Sequence, residues 1–282
     1  MVTPREALEV ERVGDDRFAA VNAPEGTGRP VFGGQLLGQL VMVGSEVDPA
    51  KFVRSMSVVF PRTGDPGKPL RFDVETVHAG RTMSTLGIDV TQDEGSRIIC
   101  RGTVLLDSDD KDVMRHAAAL PDEAGKPSDW DVDETYSSEG AEVRVVGDAT
   151  TDASQGEHSM LAWVRWPEAP RADRARNHAI SSWFTDSQLV GAAMRSHPEV
   201  TIEMAHVSVS TGVLSHSMTF HEQSDAAEWH LLVNDSTFAG GGRVYGNGAL
   251  LCEDGRHIAS FAQDGMVRWF PESQNRDAGI VM

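Results

Sequence analysis

Only two cysteines, Cys100 and Cys252, occur in 282 residues. That is too few for a disulfide framework, and neither lies in a Cys-x-x-Cys pair or a Cys/His cluster with zinc spacing. Both are expected to be free, buried thiols, and no metal site is expected. Basic residues are also scarce: 25 Lys and Arg against 43 Asp and Glu give a formal net charge of −18. Such a balance excludes a nucleic-acid partner, because phosphate binding needs a basic surface. No stretch approaches the ~18 consecutive apolar residues of a membrane span. The first residues, MVTPREALEV, have neither the basic beginning nor the apolar centre of a signal peptide. A cytoplasmic protein without a membrane span is the expectation. What the chain does have is length and 40% hydrophobic content, enough for real cores in one large domain or two ordinary ones.

From Val31 the sequence VFGGQLLGQLVMVGSEV starts a helix behind Pro30, with Gly33 and Gly34 in its first turn. Paired glycines there leave backbone N–H groups bare and let a ligand approach closely. Strands are predicted at 53–60, 71–78, 82–92 and 97–106, separated by the turn signals TGDPGKP, HAGR and QDEGS. Residues 108–140 are rich in Asp, Glu, Ser and Gly and have almost no apolar periodicity, so they read as a solvated connector with one short turn near 116–120. Strand-like segments resume at 141–146 and 160–166. A helix then runs from Asp173, its N-cap, through Arg195, and further strands follow at 207–213, 217–221, 228–235, 243–253 and 257–268. Within that helix, numbering puts Asp186 on the apolar row of Trp183 and Val190, an odd place for a carboxylate. A helix followed by an antiparallel meander is an α+β pattern.

The second half repeats the first. An offset of 160 residues relates Ser55 to Ser215, Ser57 to Ser217, Phe60 to Phe220, Gly80 to Gly240, Gly95 to Gly255 and Ile98 to Ile258, which reads as one ungapped register across the meander. The helices align as well, GGQLLG at 33–38 matching DSQLVG at 186–191. A duplicated domain accounts for both, and it sets Gly33 of one copy against Asp186 of the other. The expected organisation is an N-terminal domain at 1–107, the connector at 108–140 and a C-terminal domain at 141–282.

Two helices, each wrapped by a five- or six-stranded antiparallel sheet, describe a tandem hotdog. The segments RPVFGGQLLGQ, VVFPRTGDPGKPLRFDVETVHAGR, AEVRVV and HSMTFH…WHLLVNDST…GNGALLCEDGRHIASFAQDGMVRW resemble the type II acyl-CoA thioesterases, which are double-hotdog hydrolases. The resemblance implies hydrolysis of fatty acyl-CoA to free acid and coenzyme A. No cofactor is implied, coenzyme A entering only as part of the substrate. In that family an Asp on the second helix, a Gln on the last strand and a Thr on an earlier strand position the attacking water. Carried over, the Asp falls on Asp186 and the Gln on Gln263, whereas the Thr position holds Val213. Thr211 and Ser215, each two residues from Val213 and so expected on its strand face, are the candidate replacements. Two histidines of the family's first-half segment are also absent, Arg54 and Ser57 standing in VRSMSVVF.

Thioester cleavage needs a nucleophilic water and a stabilised carbonyl oxygen. An N–H of Gly33 or Gly34 is the candidate for the second role. Arg62, Lys68, Arg71 and Arg81 form the densest basic cluster, and Arg62 and Arg81 are the candidates for contact with the nucleotide phosphates. His206, His216 and His221 read as strand or core residues rather than a zinc site. The rival reading is a non-catalytic acyl-CoA or lipid-binding protein that kept the fold after losing the hydroxyl at position 213. A hotdog hydratase would need a His close to Asp186, and the nearest are His178 and His197. Because hotdog sheets pair edge to edge, a homo-oligomer is also expected.

Overall fold

The computed structural model describes residues 4–22, 30–134, 137, 140–147, 158–186, 188–195, 197 and 199–270. Its first half contains α1 (Pro4–Ala7), β1 (Glu11–Gly14), β2 (Arg17–Ala20), α2 (Gly33–Val47), β3 (Phe52–Val59), β4 (Leu70–Ala79), β5 (Met83–Gln92) and β6 (Arg97–Asp107). The second half contains β7 (Glu142–Val145), β8 (Ser159–Arg165), α3 (Arg174–Thr185), α4 (Leu189–Arg195), β9 (Val209–Phe220), β10 (His230–Gly240), β11 (Arg243–Cys252) and β12 (His257–Trp269). All twelve strands join one sheet in the order β1-β2-β4-β5-β6-β3-β9-β12-β11-β10-β8-β7, every pairing antiparallel. Read from each outer edge inward, the two halves have the same strand order, and β3 meets β9 at the centre. The hydroxyls of Ser57 and Ser217, 160 residues apart, face each other there at 3.1 Å. An internal pseudo-twofold axis passes through this pair.

The repeat survives even in the irregularities. The bulge of β4 at Thr76/His78 returns in β10 at Ser236/Phe238, and the bulge in β3 at Val53/Ser55 returns in β9 at Val213/Ser215. The register is not ungapped, however. Val90 pairs with Cys100 in the first half, whereas its counterpart Leu250 pairs with Ala259, so the last strand is offset by one residue less than the other three. The turn after β11 is shorter by that residue. Ile98 therefore corresponds to His257, not Ile258, and the match of Gly95 with Gly255 lies in turns of unequal length. One residue matters here because side chains alternate between sheet faces.

The helices cover one face of the sheet. α2 is buried from Gly34 to Gly44, and it packs antiparallel to α3 at glycine contacts: a Cβ on Gly38 would lie 2.9 Å from the Ala179 carbonyl oxygen, and one on Gly34 would lie 2.5 Å from that of Trp183. α3 opens at Asp173, whose Oδ1 accepts from the Arg176 N–H at 3.0 Å, as the N-cap reading predicts. The single helix expected from 173 to 195 is in fact two, α3 ending at Thr185 and α4 starting at Leu189. Two other expectations change. The strands predicted at 207–213 and 217–221 are one long β9 that bends through its bulge.

The connector is not wholly solvated either, since it makes short 3-10 turns at Asp122–Ala124 and Pro127–Asp129. It packs Ala124 and Trp130 against Leu161, Trp163 and Leu231 of β8 and β10. The Ala124 carbonyl accepts indole N–H groups from both Trp130, at 2.9 Å, and Trp163, at 3.0 Å.

Candidate active site

Asp186 stands at the end of α3, where the helical path breaks, and is only 7% exposed. It is not a mid-helix residue on an apolar stripe; the break turns its carboxylate toward the first turn of α2. A Cβ on Gly33 would lie 2.6 Å from Asp186 Oδ2 and 3.1 Å from Oδ1, so the carboxylate occupies the space that any side chain at 33 would need. Phe32 caps α2 without a side-chain hydrogen bond, and the positive end of the helix dipole favours an anion at that point.

Gln263 is fully buried on β12. Its cross-strand neighbours are His216 on β9 and Gly246 on β11, and the residues flanking Asp186 rest on both. Thr185 Oγ1 lies 3.2 Å from His216 Nε2, and a Cβ on Gly246 would lie 2.9 Å from Leu189 Cδ1. The helix break carrying Asp186 is thereby seated over the strand row carrying Gln263. The contact of Gln263 within this row is with His216, Nδ1 to Oε1 at 3.3 Å. Burial holds the His216 imidazole well below its ordinary value, at about 4, so it is neutral at physiological pH.

Comparison of the two halves, using the strand registers, isolates this region. In the first half the row across the inner face reads Met56, Val104, Leu86 and Thr76; the same row in the second half reads His216, Gln263, Gly246 and Ser236. One step along, Val74 and Ile88 are replaced by Asn234 and Gly248. Asn234 Nδ2 reaches Gln188 Oε1, next to the helix break, at 3.5 Å. Apart from Thr76 and Ser236, which both carry hydroxyls, apolar packing in one copy has become polar groups and small residues in the other, so among the described residues the tandem holds one such constellation rather than two.

The two candidate hydroxyls separate. Thr211 shares the inner face with Val213, pairing with Val267 as Val213 pairs with Gly265. It lies four residues along β12 from Gln263, roughly 13 Å at ~3.3 Å per residue, and its Oγ1 contacts His206 Nε2 at 3.3 Å. Ser215 is not on that face, because the bulge between 213 and 215 sets it opposite Asp264 and turns it to the other side. Two hydroxyls belong to this polar group, that of Ser236 on β10 at the end of the row and that of Thr185 on the helix, which is the one that meets His216. The sequence reading missed Thr185, His216 and Asn234. For His216 a signal existed, since it alternates with Met218 and Phe220 as an inward residue.

Of the basic candidates, Arg62 is near the site and Arg81 is not. Val31, two residues before α2, donates to the Gly64 carbonyl at 3.0 Å, and Arg62 donates to the Ile98 carbonyl at 3.2 Å. Arg97 reaches the Thr63 carbonyl at 3.0 Å, so both guanidiniums flank the loop beside the first turn of α2. Arg81 adjoins Thr82, whose carbonyl accepts from Ser108. That is the opposite end of β6, about 30 Å away at ~3.3 Å per residue. Lys68 pairs with Asp93 and Arg71 with Asp73, so the four basic residues do not form one patch. Among the described residues no group of three or more His, Cys, Asp or Glu side chains converges as a metal site, and Cys100 and Cys252 are free and buried.

A tandem of antiparallel sheets wrapped on central helices, with one polar constellation under a helix break, defines a double-hotdog protein. The family model of the acyl-CoA thioesterase N-terminal domain matches residues 23–106, and that of the C-terminal domain matches residues 115–267. Together they span most of the chain, which belongs to the acyl-CoA thioesterase family and is a thioester hydrolase. The chain is 25% identical to acyl-CoA thioesterase 2 of Haemophilus influenzae, over 93% of this chain and 96% of that protein. It is 24% identical to acyl-coenzyme A thioesterase 8 of Mus musculus, over 94% of this chain and 88% of the other. Among solved structures, an acyl-CoA thioesterase II from Mycobacterium marinum superposes with a TM-score of 0.80 at 23% identity, covering 96% of this chain and all of that one, 100%. A hot dog fold protein from Alicyclobacillus acidocaldarius gives 0.73 at 16%, covering 95% and 98%. These structural likenesses establish the fold.

Proposed function

We propose that the protein cleaves fatty acyl-CoA to free acid and coenzyme A with a water held between Asp186 and Gln263. The observation that carries this reading is the polar row of the second half, His216, Gln263 and Gly246 in place of Met56, Val104 and Leu86, lying under the break that bears Asp186. Asp186 accepts a proton from water as its oxygen bonds to the thioester carbonyl carbon, and the carbon–sulfur bond then breaks. The thiolate of coenzyme A leaves readily, because a thiol pKa near 8.5 makes it a good leaving group, and it takes up the proton. An N–H of Gly33 or Gly34, bare at the start of α2, faces the carbonyl oxygen as charge builds on it. Arg62 faces the phosphates of the nucleotide at the rim. Every step runs through side chains and backbone, with no cofactor invoked.

The same reading places the enzyme in the cytoplasm as a homo-oligomer. Supporting an oligomer, Phe238 and Tyr245 form a cross-strand pair on β10 and β11 and are 58% and 46% exposed. Among the described residues no helix is long and apolar enough to cross a membrane. The test is a thiol-detecting assay on purified Asp186→Asn and Gln263→Ala proteins with a panel of acyl-CoA chain lengths. A loss of at least about 100-fold in kcat is expected for Asp186→Asn. Hydrolysis by that variant at the wild-type rate would remove Asp186 from the mechanism.

A further inference from the structure

Gln263 has two different ends to present, a carbonyl oxygen that accepts and an NH2 that donates, and the reaction needs one of them. The groups behind it decide which. Thr185 Oγ1 lies 2.9 Å from the Ser182 carbonyl, one turn back on α3, and 3.2 Å from His216 Nε2. A hydroxyl has one proton, and the carbonyl, which can only accept, takes it at the shorter distance. The Thr185 oxygen then offers a lone pair to His216, so Nε2 must carry the N–H and Nδ1 must be bare.

That bare nitrogen lies 3.3 Å from the amide of Gln263. With Oε1 turned to it, two lone pairs would oppose each other, and the buried Nε2 of Gln263 would have no partner. The two ends of an amide are equal in shape, and its hydrogen bonds determine the orientation. Turning it through 180° removes both faults at once: Nε2–H donates to His216 Nδ1, and Oε1 faces the site as an acceptor.

We propose that Thr185 and His216 are positioning residues that fix the orientation of Gln263, through a single histidine tautomer, so that its amide oxygen accepts a proton of the attacking water. The inference rests on the role given to Gln263 above and deepens it. With one hydrogen of the water held by Asp186 and the other by Gln263 Oε1, the oxygen lone pair is directed at the thioester carbon. A donor in the same place would bind that lone pair and blunt the nucleophile. Two surroundings keep the imidazole from turning or charging: His216 is fully buried, and its ring stacks on Phe261 at 5.5 Å and 12°.

Nitrogen-15 NMR of histidine-labelled enzyme at pH 7 reads the tautomer directly, the His216 signals being assigned by their absence from His216→Asn protein. The expected result is protonated Nε2 and unprotonated Nδ1. Thr185→Ser, which keeps the hydroxyl, should retain this tautomer and a kcat within about threefold of wild type. Thr185→Val should lose the single tautomer and at least about tenfold in kcat, while KM changes less than about twofold. A wild-type His216 protonated at Nδ1 overturns the proposal, as does a Thr185→Val enzyme of full kcat; the wild-type spectrum decides even if a variant does not fold. Gln263→Ala separates the two levels. If it is slow while His216 is protonated at Nδ1, only this inference falls; if it is as fast as wild type, the role of Gln263 itself falls.

Discussion

A methyl group at position 33 would sit 2.6 Å from Asp186 Oδ2, so Gly33 and Asp186 are a matched pair across the two halves of the chain. Gly33→Ala is therefore expected to fold and yet lose roughly 100-fold in kcat, the scale of effect that follows a displacement of about 1 Å in a reacting group. A steady-state assay beside a melting curve checks this, and a Gly33→Ala enzyme of normal kcat would show that the carboxylate can move without consequence. Ser215 makes the opposite case. Because the bulge turns it away from Gln263, Ser215→Ala should leave kcat and KM within about twofold of wild type. The departure at Val213 thus leaves β9 without an inward hydroxyl beside Gln263, and the hydroxyl that meets His216, its neighbour on that strand, comes from Thr185 on α3.

At the level of elements, the break between α3 and α4 and the bulge in β9 do most to shape the site. A helix continuous from 173 to 195 would carry Asp186 along its side; ending α3 at Thr185 sets the carboxylate against the start of α2. The connector has a different task. It lies on the face of β8 and β10 away from the helices, with its Ala124 carbonyl taking two indole protons. Trp163→Phe removes one of those bonds from a fully buried side chain and should cost about 1–3 kcal/mol of stability. The measurement is a lowered Tm with kcat/KM unchanged, and a matching loss of activity would tie the connector to catalysis. Most of these elements were legible because their periodicities are strong: the meander strands, the N-cap at Asp173 and the helix behind Pro30 all fall where alternation and capping put them. β1 and β2 were not: they are as short as β7, but ERVG and RFAA lack the regular polar–apolar alternation that EVRV shows. The helix break was also hidden, since the apolar spacing continues across it.

For the whole molecule, burial of neutral histidines sets a pH limit. His178, stacked on Phe220 at 4.1 Å, is held at about 3, and His216 and His230 at about 4, in each case chiefly by burial. In the unfolded chain the same groups titrate near 6.5. Between these values the unfolded state binds more protons than the folded state, so stability falls as pH drops from about 6.5 toward 4 and is regained as it rises. Thermal melts should show Tm lower by at least about 5 °C at pH 5 than at pH 7, with a shallower dependence in His178→Phe; a flat profile would mean that these histidines are protonated when folded.

The sequence by itself determined the duplication, the α+β class and the family, and it singled out Asp186 and Gln263 as candidates, because turn glycines, strand alternation and motif spacing are local properties written along the chain. Only the tertiary structure decided the rest. Whether Ser215 faces the site depends on one bulge, and whether Ile98 answers to Ile258 depends on one residue in a turn. Arg62 and Arg81 are near in sequence, but a whole strand separates them in space. The partner of Gln263 comes from β9, 47 residues away, and the partner of that His216 comes from α3, 31 residues further back; contacts across such distances are set by packing rather than by any pattern in the chain.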